Sequence, residues 1–159
     1  MTEKADAIAE LQAAHDRFRD TIAELPDDKF NETWLGTWNL SQLLAHLTGW
    51  YREMSGAFGR VARGERPTPP GVDYSDADSW NARFVLDAVP GRASLARFDA
   101  AYADYVAAAQ SLDASFYGED PEKRRPKIGN RLLQGAGIGH FAEHQEQVET
   151  WLGARSYHS

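Results

Sequence analysis

Two histidines four residues apart, in the run GHFAEHQEQVETWL from Gly139 to Leu152, have the spacing with which one helix presents two imidazoles to a common point. Side chains at this spacing lie about 40° apart around the axis and about 6 Å apart along it. His140 and His144 can therefore share a metal ion held about 2.0–2.1 Å from each ring nitrogen. Two ligands seldom complete a site, and the third candidate is His46 in LLAHLTGW. By helical spacing His46 shares a face with Leu43, Trp50, Glu53 and Ala57. The matching face of the last helix carries Leu133, Ala136, Gly137, His140, His144, Gln147 and Trp151. Both faces are mostly apolar, so both should point inward and bring three imidazoles together inside a helical bundle.

Other readings of these residues exist. A histidine pair at this spacing also arises by chance, and a lone histidine on an apolar face is more often a hydrogen-bonded core residue. His15 is read in that way, as core or pocket wall. The run from His140 to His144 also fits the H-x-x-E-H pattern of inverted zinc proteases, in which Glu143 would be the general base. Those enzymes are much larger, and His46 already offers a third ligand. Glu143 still lies about 60° from His140 around the helix, close enough to act on a metal-bound water or to orient an imidazole. Glu143 and Gln147 are accordingly the catalytic candidates, with Glu53 a further acid-base or outer-sphere group. Trp50 and Trp151 would wall an apolar pocket, although tryptophan at helical spacing is usually core. Glycine costs roughly 1 kcal/mol relative to alanine inside a helix, so the run GAGIG before His140 calls for a reason. Gly137 shares the inward face, and with Ala136 it is expected to keep open a space on the substrate side of the metal. Gly135 and Gly139 point to the flank, where they would allow close helix approach or a frayed helix start.

These residues need elements to position them. The chain has 159 residues, enough for one domain over 1–159 with a hydrophobic core of its own. Ile8, Leu11, His15, Phe18 and Ile22 predict a first helix over residues 2–25, ended by Pro26. DDKFNETWLGTW reads as a loop whose tryptophans cover one end of the bundle. Asn39 with Gln42 resembles a capping box, with Ser41 a competing cap, so a second helix should run from there to about Gly64. Prolines 67, 69 and 70 exclude regular structure over residues 65–79, and a short helix follows near residues 78–87. Leu95, Phe98, Tyr102, Tyr105 and Ala109 mark a third long helix over about 92–112. A charged loop leads to a fourth, from about Asn130 to Gly153, with that glycine just past its end. Nothing alternates long enough to require a strand. The expected fold is all-α, a four-helix bundle with a long crossover carrying a short extra helix.

WLGTWNLSQLLAHLTGWYREM on the second helix, taken with GHFAEHQEQVETWL on the fourth, resembles the DinB-like superfamily, the DinB and YfiT group of small helical bundles. The resemblance implies a divalent metal held by one histidine of the second helix and an H-x-x-x-H pair of the last, which fall here on His46, His140 and His144. AHLTGW, the crossover GERPTPPGVDYSD and SWNARF are similar to the ClbS-like branch, whose members include proteins that protect a producer from a reactive metabolite. This chain departs from that branch in keeping the histidine pair. The tryptophan-rich entry to the second helix also resembles the metal-binding domain of mycothiol-dependent isomerases, whose second domain is not seen here.

Composition limits the function further. The chain has no cysteine, so any metal must rest on histidine, carboxylate or water. A net charge of -7 argues against nucleic acid as a partner, the segment KRRPK at residues 123–127 being the one locally basic stretch. The amino terminus has no apolar signal core, and no stretch is long enough to span a membrane. The expectation is a cytoplasmic protein acting on a small molecule. Family resemblance makes a homodimer plausible. The leading function is a metal-dependent hydrolase or thiol S-transferase, with Zn or Ni the expected ion. It would activate water or a low-molecular-weight thiol cosubstrate for attack on an electrophile. The alternative is a non-catalytic protein of ClbS-like type that binds a metabolite or metal.

Overall fold

Four long helical rods carry the fold in this computed structural model, which describes residues 2–158 and the side chains of residues 2–153. The order is α1 (Glu3–Ile22), the one-turn α2 (Asp27–Phe30), α3 (Leu40–Ala62), the short α4 (Ala77–Val85) and α5 (Ser94–Ser111). The last rod is composite: α6 (Ile128–Leu133), a π-helical turn (Gln134–Ile138) and α7 (Gly139–His158). This is the expected all-α four-helix bundle, with α4 riding on the long crossover between α3 and α5.

Local chemistry explains where the rods begin. The Thr2 hydroxyl accepts from the Ala5 amide, and Glu3 and Asp6 in the first turn complement the positive end of the α1 dipole. At α3 the capping box is complete. Asn39 Oδ1 accepts from the Gln42 amide at 2.9 Å, and Gln42 Oε1 accepts from the Asn39 amide at 2.8 Å. Ser41, the rival cap, is used differently: its hydroxyl donates to the Phe30 carbonyl and accepts from the Gly91 amide, tying α2 and the turn that leads into α5 to α3. The core is aromatic, with Phe18, Phe58, Phe98, Phe141, Tyr51 and Tyr105 all but inaccessible to solvent.

Several boundaries differ from expectation. α1 stops at Ile22. The tryptophan-rich segment contains α2 and a bridge between Leu35 and Trp38. The charged loop holds a two-residue antiparallel ribbon, β1 (Glu119–Asp120) with β2 (Arg125–Pro126), too short to leave a period-two signal. The last rod starts at Ile128 and passes through Gly153, so that glycine does not end the helix. The π turn matters most. One extra residue in a turn rotates everything after it by about 100° relative to a continuous α-helix. As a result Phe141 and Val148, absent from the face drawn on a straight helix, are the fully buried apolar residues of α7.

Candidate metal centre

His46 comes from the middle of α3, and His140 and His144 from the first turns of α7. Among the described residues these three form the group of potential ligands, with one nitrogen from each lying within 4.8 Å of the others. The Nε2 atoms of His46 and His140 are 2.9 Å apart. His144 stands slightly farther out, its ring centre 4.8 Å from that of His140 and 5.4 Å from that of His46.

The opposite edge of each ring meets an oxygen that can accept. His46 Nδ1 lies 2.9 Å from Asn81 Oδ1, His140 Nδ1 lies 3.3 Å from the Ala136 carbonyl, and His144 Nδ1 lies 2.6 Å from Gln147 Oε1. With protons on all three Nδ1 atoms, the Nε2 lone pairs point together, and at 2.9 Å those of His46 and His140 require a cation or a proton between them. Outer hydrogen bonds of this kind orient metal-binding imidazoles and raise their basicity. His144 Nε2 is buried with no hydrogen-bond partner, a cost that a bound cation would remove. Burial, reinforced by the neighbouring His140 and His144, pushes the pKa of His46 down to about 3 against the pull of Asn81. Burial and then His144 push His140 down to about 4, against the Ala136 carbonyl and Glu143. His144 is also lowered, again by burial, with Gln147 and Glu143 opposing. The three rings are neutral at neutral pH, the form that binds a metal ion. Geometry, tautomer and charge therefore fit a divalent cation, and the triad could hold one.

The seating of α4 depends on Gly49. A Cβ there would clash with the Phe84 ring, so only glycine lets α4 approach α3 this closely. α4 has no fully buried residue. It is held through Trp80 and Phe84, which gather around Trp50 together with Tyr74. Arg83 lies over the Trp80 ring at 4.0 Å. The approach delivers Asn81 to His46, and the Trp50 indole N–H donates to the same Asn81 oxygen at 2.7 Å. Trp38, from the loop before α3, leans on the His46 ring at 5.2 Å.

The other expected site residues are distributed unevenly. Gln147 is the outer partner of His144. Glu143 is exposed and, among the described residues, bonds to no imidazole, although its charge favours protonation of His140 and His144. Glu53 accepts from the Tyr74 hydroxyl instead. Trp151 stacks face to face on Trp34 at 4.5 Å. Gly137 does not border open space: a Cβ there would meet Leu11 Cδ1 at 2.5 Å and the Tyr105 hydroxyl at 3.1 Å. Its role is close packing against α1 and α5, which corrects the expectation of a cleared substrate side. A cavity of about 170 Å³ does lie along the seam of α3 with α4 and α5, lined by Thr48, Gly49, Arg52, Phe84 and Arg97, but no histidine reaches it. Asn81, Trp38 and Gly49 were not picked out from the sequence. Asn81 stood within the quoted SWNARF, but its partner lies 35 residues away, beyond the reach of any helical period.

A helical bundle with this histidine arrangement defines a DinB-like protein. The chain belongs to the mycothiol maleylpyruvate isomerase N-terminal domain family, whose model matches residues 4–152. Among solved structures it is similar to the colibactin self-resistance protein ClbS, determined in complex with double-stranded DNA. That pair shares 15% identity and a TM-score of 0.76, over 92% of this chain and 93% of that one. The mycothiol-dependent maleylpyruvate isomerase aligns at 14% identity with a TM-score of 0.70, over 93% of this chain and 63% of the isomerase. A protein from Streptococcus pneumoniae aligns at 12% identity with a TM-score of 0.76, covering 94% and 90%. No curated protein matches significantly by sequence. Among the described residues, no helix is long and apolar enough to cross a membrane.

Proposed function

We propose that this protein is a cytoplasmic metal-dependent enzyme, a hydrolase or thiol S-transferase acting on a small electrophile. The single observation that carries this reading is the set of three imidazoles whose Nδ1 edges all face acceptors while their Nε2 edges converge. A divalent ion, Zn or Ni, held by His46, His140 and His144 would supply Lewis acidity to a water or a thiol. The protein's own part is to keep the three rings neutral, oriented and largely shielded from solvent. Gln147 holds the His144 ring, and Glu143, exposed beside the pair, takes or gives the proton. Trp50, with the aromatic residues of the crossover, and Trp151, with Trp34, supply apolar walls.

The name of the isomerase neighbour, mycothiol-dependent, supports the thiol branch of this reading. The ClbS neighbour supports a second reading, a non-catalytic protective binder. Its DNA belongs to that protein, and a net charge of -7 here favours a small molecule over nucleic acid. The test is elemental analysis of the purified protein and of the His46→Ala variant, followed by an electrophile panel with and without thiols. Stoichiometric metal in the wild type, its loss in the variant and thiol-dependent or hydrolytic turnover are the expected results. Metal retained by the variant removes His46 from the ligand set, and binding without turnover across the panel leaves the protective binder.

A further inference from the structure

An asparagine amide has two ends of nearly the same shape, one a carbonyl oxygen and the other an NH2. Which end faces a neighbour is decided by the hydrogen bonds around it. At Asn81 the decision falls to Trp50. The indole Nε1–H can only donate, and it lies 2.7 Å from the Asn81 side-chain oxygen, so that end must be the oxygen. The same oxygen lies 2.9 Å from His46 Nδ1. Because a carbonyl oxygen only accepts, His46 Nδ1 must carry the ring proton, and the Nε2 lone pair is left facing His140.

The other two histidines show what this adds. His140 Nδ1 faces the Ala136 backbone carbonyl, which cannot be turned round. His144 Nδ1 faces the Gln147 amide oxygen, and among the described residues no donor holds that oxygen in place. His46 also relies on an amide, but on one pinned by a donor that has no acceptor state.

We propose that Trp50 is a positioning residue whose indole N–H, acting through Asn81, fixes His46 in the tautomer that leaves Nε2 free. The consequence for metal affinity rests on reading the triad as a metal centre; the tautomer itself does not.

The test is Trp50→Phe, which keeps an aromatic ring against Tyr74, Trp80 and Phe84 and removes the N–H. In metal-free wild-type protein at neutral pH, long-range proton–nitrogen correlation spectra should show His46 as a single Nδ1–H tautomer, with His140 donating from Nε2 across their 2.9 Å contact. In Trp50→Phe, His46 should turn predominantly to Nε2–H, and zinc affinity, measured against a competing chelator, should fall about 10–100-fold. Asn81→Ala should give the same switch without touching Trp50. Adding Asn81→Asp to Trp50→Phe supplies a carboxylate that can only accept, and should restore both the tautomer and the affinity. An unchanged His46 tautomer in both Trp50→Phe and Asn81→Ala overturns the proposal. A switched tautomer with unchanged zinc affinity upholds the lock and removes His46 Nε2 from the ligand set.

Discussion

His144 Nε2 is a buried nitrogen with nothing to bond, on a ring whose other edge is held at 2.6 Å by Gln147. An orphaned edge alone does not mark a ligand, since His15 Nε2 in the core is also buried without a partner. What sets His144 apart is that its ring is held by Gln147 in a cluster with His46 and His140. Gln147→Ala removes only the aim. Zinc affinity of this variant should fall about 10–100-fold, as is usual when an outer hydrogen bond to a ligand is lost, with the melting temperature little changed. Competition against a chelator measures the first and thermal unfolding the second. Affinity equal to wild type would show that the Gln147 contact does not orient the ring. The three histidines and Gln147 were legible in the sequence because their spacing within each helix is periodic. Asn81 and Trp38 were not, because they reach the site from other elements.

At the scale of elements, the last rod depends on its glycines in different ways. The π turn covers Gln134–Ile138, so Gly135 and Gly137 fall in it and Gly139 lies at its end. Turns of this kind often mark functional sites. Here the turn rotates α7 so that Phe141 enters the core and His140 faces α3. Gly137 is packed tightly by Leu11 and Tyr105, whereas a Cβ at Gly135 would meet nothing within 4 Å. Gly137→Ala should therefore destabilise by about 1–3 kcal/mol through overpacking, and Leu11, whose side-chain end makes the contact, should couple to it. Gly135→Ala should be neutral or stabilising by up to about 1 kcal/mol. Urea denaturation of the two variants separates them; equal effects would refute the close-packing role of Gly137. A straight helix wheel placed Gly137 beside a substrate space because no periodic pattern announces a π turn.

Across the whole molecule, His15 reports how burial couples the core to pH. It lies against the Tyr102 ring at 3.4 Å, stacked between α1 and α5, and also contacts Phe98 and Phe141. Burial lowers its pKa; Asp16 and Asp99 act to raise it and Arg19 to lower it further. In the unfolded chain a histidine titrates near 6.5. Between the lowered folded value and about 6.5 the unfolded state binds the extra proton, so stability is fully present above about 6.5 and is lost as pH falls through the folded pKa. His46, His140 and His144 contribute in the same direction. His15→Phe should keep the ring packing and flatten the acid side of the melting temperature against pH without abolishing the slope. An unchanged slope would mean that His15 does not sense acid.

The sequence by itself determined the helical class, the long rods, the caps at Asn39 and the identity of the three histidines. Each of these follows from local preference or from a period of 3.6 residues within one segment. Tertiary structure alone decided which way the last rod turns after Gln134, that Gly49 lets α4 lie down on α3, and that Asn81 closes on His46 under the Trp50 indole. Those outcomes depend on how segments far apart in the chain pack against one another, and on a single extra residue in one turn that no repeating pattern encodes.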